Sequence, residues 1–263
     1  DGNLFFGTAM ETVRNLSGAG LGVGEIPMAF TVAIGYKDAT NLLSTFHKRW
    51  RDYTPNIGGE AEKMSKLMGG PSDISGGGAP DFLKFLQEEL KPLIESKYSV
   101  DPIDATIAGL SLGGLFPSWV LLTQPETFQR YVIMSPSIWW NGEEVWEWES
   151  RFAQNHNDIN AKVFVTAGGL ETIEIQKKMM DDILKDAPEQ AVQMFKPMLD
   201  YFDKEGWPKM AEITPVFVDK LKLRGYKNLK IHCHNMPDET HTSVGSGAFS
   251  RGLRYVFGHW NPE

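Results

Sequence analysis

Thr106-Ile107-Ala108-Gly109-Leu110-Ser111-Leu112-Gly113-Gly114-Leu115-Phe116 is the stretch that decides the fold. TIAGL reads as a short strand, Leu115–Leu122 reads as a helix, and a Gly-x-Ser-x-Gly turn joins them. Such a turn puts its serine on a sharp, strained corner where neighbouring side chains would clash, so small residues must flank it. The Ser111 hydroxyl then projects from the carboxyl end of a sheet, above a helix N-terminus. The Leu112 amide is placed there to donate to a developing oxyanion. Ser111 is the candidate nucleophile, and the rest of the chain must supply a sheet and a base.

Outward from this turn, short apolar runs alternate with amphipathic stretches, the rhythm of a mostly parallel sheet with helices on both faces. The strand candidates are Ala29–Gly35, Ala105–Leu110, Tyr131–Ser135, Lys162–Thr166 and Leu229–His234. The clearest helix is Asp81–Lys97, where Phe82, Leu86, Leu90 and Leu93/Ile94 form one stripe and Pro92 predicts a kink or an early stop. Met68–Pro80 is glycine-rich and lacks the Gly-Lys-Ser/Thr ending of a phosphate-cradling loop, so it reads as a plain loop or lid. The chain reads as one domain over 1–263. Its helical segment Ile173–Arg224 exceeds what one crossover helix needs and is expected to form a cap-like insertion. The expected cap anchors are Met179, Met180, Ile183, Leu184, Met194, Phe195, Leu199 and Phe202.

A serine needs a base, and folds built on this elbow order their residues Ser, acid, His. Of six histidines, His47, His156 and His259 lie away from any loop after the final strand. His232 and His234 fall on one face of that strand around Cys233. One strand face offers at most two ligands, and nothing is spaced to complete a metal site, so both read as structural. His241, in the polar loop Asp238–Val244, is the candidate base. Glu171, just past the strand KVFVT, is the candidate acid that orients it, with Asp238 as its rival. Chemistry of this kind requires no metal and no organic cofactor.

A net charge of −8 argues against a nucleic-acid partner, and no apolar run is long enough to span a bilayer. Cys233 is the only cysteine, so no intrachain disulfide forms. The dense basic run His47-Lys48-Arg49-Trp50-Arg51 reads either as a solvated helix face or as part of a pocket for an anionic ligand.

The residues also carry a resemblance that spans nearly the whole chain. It rests on Asp1-Gly2-Asn3, Ile34-Gly35-Tyr36, Arg51-Asp52-Tyr53-Thr54-Pro55, Gly77-Gly78-Ala79-Pro80, GLSLGGLF, Ser135-Pro136-Ser137-Ile138-Trp139-Trp140, GGLE and HTSV. Together they resemble the putative-esterase branch of the α/β-hydrolase superfamily, which includes trilactone siderophore esterases of the enterobactin and salmochelin type. The resemblance implies a serine esterase working on a small-molecule ester, with Ser111 as nucleophile and His241 as base. Some such relatives work as a Ser-His dyad, which leaves Glu171 open. It further implies a second oxyanion amide from Gly2 or Asn3, and an aromatic wall from Trp139 and Trp140. Feruloyl or carbohydrate acetyl esterase is the alternative activity, and a silent binding module on the same scaffold is the alternative class. Asp1-Gly2-Asn3 matches the loop after a central strand of that fold, so that strand and those before it are expected to be missing. A gap, or a segment filling it, is then expected between Ala29–Gly35 and Ala105–Leu110.

Overall fold

Runs such as YVIM and VFV are apolar on both faces, which suits parallel strands covered by helices on either side. The computed structural model describes residues 2–19, 21, 23–37, 42–67, 76–258 and 260. In it β1 (Thr106–Leu110), β2 (Arg130–Met134), β3 (Ala161–Thr166) and β4 (Leu229–Cys233) pair in parallel, in the order β1-β2-β3-β4. Gly109 stands opposite Ile133, Ile133 opposite Val165, and Val165 opposite Cys233, so the four carboxyl ends share one edge of the sheet.

Alternate residues enter opposite cores, as the two-residue strand period requires. Tyr131, Ile133, Val163 and Val165 join the larger core with α6 (Leu112–Leu121), α8 (Val145–Asn155) and α11 (Met210–Leu223). α2 (Leu42–Tyr53) and α3 (Gly59–Leu67) pack on that core as well. Val132, Met134 and Phe164 meet α12 (Val244–Val256), with Ala9 of α1 (Gly2–Leu16) beyond it.

Several expectations need correction. Ala29–Gly35 is not a strand: it enters no ladder, and β1 is the edge of the four-stranded sheet. β-propensity becomes a strand only where a neighbour accepts its backbone bonds. A groove of about 490 Å³ runs along this stretch, lined by Gly2, Asn3, Phe30, Val32, Ile94 and Tyr98. Asp81–Lys97 falls within a helix that continues through Pro92 instead of stopping there. It runs as α4 (Ala79–Phe85), a π-helical turn Leu86–Leu90, and α5 (Lys91–Lys97). Proline has no N–H for the carbonyl four residues back, and the wider turn just before it changes the hydrogen-bond register. The stripe holds with Ile94 as its last member: Leu86 is buried and Phe82, Leu90 and Ile94 are half-buried, while Leu93 is exposed. Of the glycine-rich loop, 68–75 lie outside the described residues, as does His259.

Ile173–Arg224 divides into α9 (Ile173–Lys185), α10 (Glu189–Glu205) and α11. α11 is the crossover helix itself, burying Phe217, Val218 and Leu221 against β3 and β4. Only α9 and α10 are additional. Met179, Ile183 and Met194 are exposed and anchor nothing, whereas Phe202 is buried.

α11 is fixed to α8 by an ion pair between a buried carboxylate and a partly exposed arginine. Arg224 grips the fully buried Glu149 carboxylate through two nitrogens at 2.6 and 3.0 Å, and Lys220 stands 3.5 Å away. Burial alone would raise the Glu149 carboxyl, but the hydrogen bonds and charge of Arg224, with Lys220 added, hold it below the usual carboxylate range. A lowered folded value stabilises the protein above the unfolded carboxylate range, and that stability is lost as pH falls through the folded value. Arg224→Met is therefore expected to lower the Tm by several degrees at pH 7. The difference from the parent should shrink as pH drops below about 4. A Tm difference independent of pH would remove the ion pair from the explanation.

Candidate active site

Ser111 holds φ 63° and ψ −125° between β1 and α6. The corner closes so tightly that a Cβ on Gly109 would sit 1.7 Å from the Gly113 carbonyl oxygen, so only glycine fits. The strained serine is braced from both sides. Its N–H donates to Met134 O at 2.9 Å, and its carbonyl accepts from Gly114, Leu115 and Ser137 N–H at 2.8, 3.0 and 3.0 Å. Leu112 is the first residue of α6, so its N–H has no acceptor within the helix and remains available.

His241 lies in the turn between β4 and α12. That turn docks onto the loop after β3 through Met236 N–H to Ala167 O (2.8 Å), Gly169 N–H to Met236 O (2.6 Å) and Leu170 N–H to Glu239 O (3.1 Å). Gly168 allows this approach, because a Cβ there would meet Glu239 O at 2.3 Å. The docking brings His241 Nδ1 to 2.6 Å from Glu171 Oε2. His241 keeps 37% of its side chain exposed while Glu171 keeps 1%, so the ring reaches the surface and the carboxylate does not. The other oxygen, Oε1, accepts from Ser135 Oγ at 2.6 Å and Gly168 N–H at 2.7 Å. Both oxygens of this deeply buried carboxyl group therefore have hydrogen-bond partners, as burial of a polar group requires. Asp238 is exposed and has no hydrogen bond with His241. Beyond His241, a Cβ on Gly245 would stand 3.4 Å from the Leu110 side chain, so α12 begins beside the residue preceding Ser111. No hydrogen bond joins the Ser111 hydroxyl to His241 among the described residues, and such pairs tighten when substrate enters.

Gly2 and Asn3 start helix α1 rather than forming a loop. The Gly2 N–H is engaged by Ile34 O at 2.8 Å, which takes it out of consideration as an oxyanion donor. The Asn3 side chain closes on Tyr36, bonding its backbone N–H at 2.6 Å and its carbonyl at 3.0 Å, while the Asn3 N–H lies in the first helical turn without an intrahelical acceptor.

Trp139 and Trp140 part company. Trp140, at the start of α7 (Trp140–Glu143), is core rather than wall, with only 6% exposure. Trp139 is half-buried and meets Phe202 of α10 edge-on at 5.9 Å. Tyr201, beside Phe202, donates to the buried Glu60 of α3 at 2.8 Å. Gln176 of α9 donates to Glu171 O at 2.8 Å and Pro208 O at 2.7 Å, tying that helix to the loop that carries Glu171.

The basic run on α2 is not a solvated face: His47, Arg49 and Trp50 are all buried. Arg49 packs its guanidinium over Phe46 and Tyr53, burial pulls it below its ordinary value, and Arg51 is spent on Asp52. His232 and His234 stack 6.4 Å apart among Phe164, Tyr255 and Trp260, and burial disfavours the charged form of both. Burial pushes the Cys233 thiol up to about 12. Among the described residues no group of three or more His, Cys, Asp or Glu is placed to hold a metal.

Sequence reasoning missed Ser135, Tyr201 and Gln176. Each acts through a partner at least several residues away, and only Gln176 lies near its partner Glu171 in sequence, so no local signal marked the others.

A parallel sheet that runs into a strained serine at a helix N-terminus, with a histidine after its last strand, is an α/β-hydrolase fold. The family model described as Putative esterase matches residues 56–203, and the chain belongs to that family of carboxylic ester hydrolases. The chain is 34% identical over 253 residues to the ferri-bacillibactin esterase BesA of Bacillus subtilis, covering 93% of this chain and 80% of that protein. Two solved structures are similar at 26% identity. The siderophore hydrolase EstA from Aspergillus nidulans matches with a TM-score of 0.70, covering 99% of this chain and 81% of that one. The BES protein from Bacillus cereus matches with a TM-score of 0.68, covering 97% and 81%. No helix among the described residues is long and apolar enough to cross a membrane.

Proposed function

We propose that Ser111, His241 and Glu171 form the catalytic triad of this ester hydrolase, and that its substrate is a siderophore ester. The observation that carries the triad is the 2.6 Å contact of Glu171 with Nδ1 of His241, which leaves the other ring nitrogen, Nε2, for the serine. In this reading Nε2 takes the Ser111 proton as Oγ attacks the ester carbonyl. The tetrahedral oxyanion accepts from the Leu112 and Asn3 amides. The imidazolium then protonates the departing alkoxide, and water repeats the sequence to release the acid. Every step is a proton transfer or an acyl transfer.

The substrate assignment draws on the relatives named above. α9 and α10 serve as a cap in this reading, with Phe202 and Trp139 bounding the acyl site beneath it. A fluorophosphonate probe should label Ser111 and no other residue, and hydrolysis of trilactone, feruloyl and small aryl esters should favour the trilactone. A clear preference for feruloyl esters would move the assignment to that class, and no labelling at all would return the chain to a binding role. Phe202→Ala is expected to raise KM for bulky esters about tenfold while leaving a small aryl acetate nearly unaffected. Equal losses on all of them would reduce Phe202 to a packing residue.

A further inference from the structure

The segment that ends β2 touches both halves of the proposed triad. Met134 accepts the Ser111 N–H at 2.9 Å, and Ser137 donates to the Ser111 carbonyl at 3.0 Å. Between them Ser135 turns the other way. Its N–H donates to Thr166 O at 2.6 Å and its hydroxyl to Glu171 Oε1 at 2.6 Å. Ser135 is wholly buried and holds φ 38°, a left-handed conformation that a residue with a side chain adopts only under constraint. Glycine would meet that backbone geometry without strain. The position carries a serine instead, and its hydroxyl can only donate to a carboxylate that already takes the Gly168 N–H on the same oxygen and His241 on the other.

We infer that Ser135 is a positioning residue for ester hydrolysis, holding the Glu171 carboxylate aimed at His241 while its neighbours fix the serine elbow. The inference rests on the triad reading. Losing the Ser135 hydrogen bond leaves a buried Oε1 with the Gly168 N–H as its one donor and frees the carboxylate to turn away from His241. His241 is the titratable group that contacts this carboxylate. Of the other nearby acids, Glu239 is bonded to Ser243, Glu212 to the Ile173 N–H, and Asp238 is exposed.

The test compares Ser135→Gly, Ser135→Ala and Glu171→Gln on a small aryl ester, with folding monitored by circular dichroism and Tm. If the hydroxyl matters, Ser135→Gly and Ser135→Ala each lower kcat about tenfold with KM unchanged. The kcat/KM–pH profile should also change in both, which a loss of packing alone would not cause. Ser135→Gly is the critical variant, because it relieves the backbone strain while removing the hydroxyl together with its Cβ, whereas Ser135→Ala removes the hydroxyl alone. Parent-like kcat and pH profile in a folded Ser135→Gly, beside a slow Glu171→Gln, would overturn this inference and leave the triad standing. A fast Glu171→Gln would overturn both. Should Ser135→Ala fail to fold, Ser135→Gly alone decides.

Discussion

Ser111→Ala is expected to lower kcat for ester hydrolysis by about 10⁴-fold or more, with KM little changed and the fold intact. The size follows from what the substitution removes and what it spares. Without Oγ there is no acyl-enzyme, so attack falls to a water that nothing in the elbow positions. The Leu112 and Asn3 amides, the proposed oxyanion donors, remain, and oxyanion binding by them alone is expected to sustain a residual rate well above the uncatalysed one. The fold should tolerate the change, because the hydroxyl makes no hydrogen bond among the described residues and the backbone brace through Met134 and Ser137 is untouched. His241→Ala should cost about as much, and the double variant little more, because residues acting as one unit are not additive. Turnover of a small aryl acetate, together with loss of fluorophosphonate labelling, measures this. A Ser111→Ala enzyme within tenfold of the parent would exclude Ser111 as the nucleophile.

What was legible in the sequence was local. The elbow could be read because a strained corner demands glycines at fixed offsets, and four of the five strand candidates could be read because buried parallel strands are short apolar runs between turns. His241 and Glu171 could be chosen because chain order on this fold leaves few positions after the last two strands. The misreadings share a cause. Ala29–Gly35 has the composition of a strand, but pairing depends on a neighbour that local pattern does not reveal. The π-helical turn before Pro92 likewise gives no local signal, since Phe82, Leu86, Leu90 and Ile94 still read as one face and are all buried or half-buried. Met179, Ile183 and Met194 look like anchors because apolar residues on a helix usually face a core, but α9 and α10 leave these at the surface. Ser135 was invisible for a different reason. Its bond to Glu171 crosses 36 positions, and serine gives no sign that its backbone is left-handed.

The Gln variant of the acid puts the proton question most sharply. Glu171→Gln keeps the shape of the side chain and is expected to lower kcat by about 10³-fold, while the Tm changes by only a few degrees. The reason lies in the donors on the far oxygen. Gly168 N–H can only donate, so it fixes the amide oxygen of a glutamine at the Oε1 position, where Ser135 also donates. The amide NH₂ must then face Nδ1 of His241, where the carboxylate oxygen stood at 2.6 Å. An N–H group there requires Nδ1 to be an acceptor, which moves the ring proton to Nε2, the nitrogen proposed to take the proton from Ser111. The base is thus supplied already protonated, and the imidazolium formed during attack also loses its counter-charge. Glu171→Ala lacks the amide that enforces the wrong tautomer, so despite the larger truncation it should be no slower per folded molecule than Glu171→Gln. Histidine ring ¹⁵N shifts would show the tautomer directly in both variants. A Glu171→Gln protein that keeps its proton on Nδ1 and its parent rate would mean that the enzyme works through Ser111 and His241 alone.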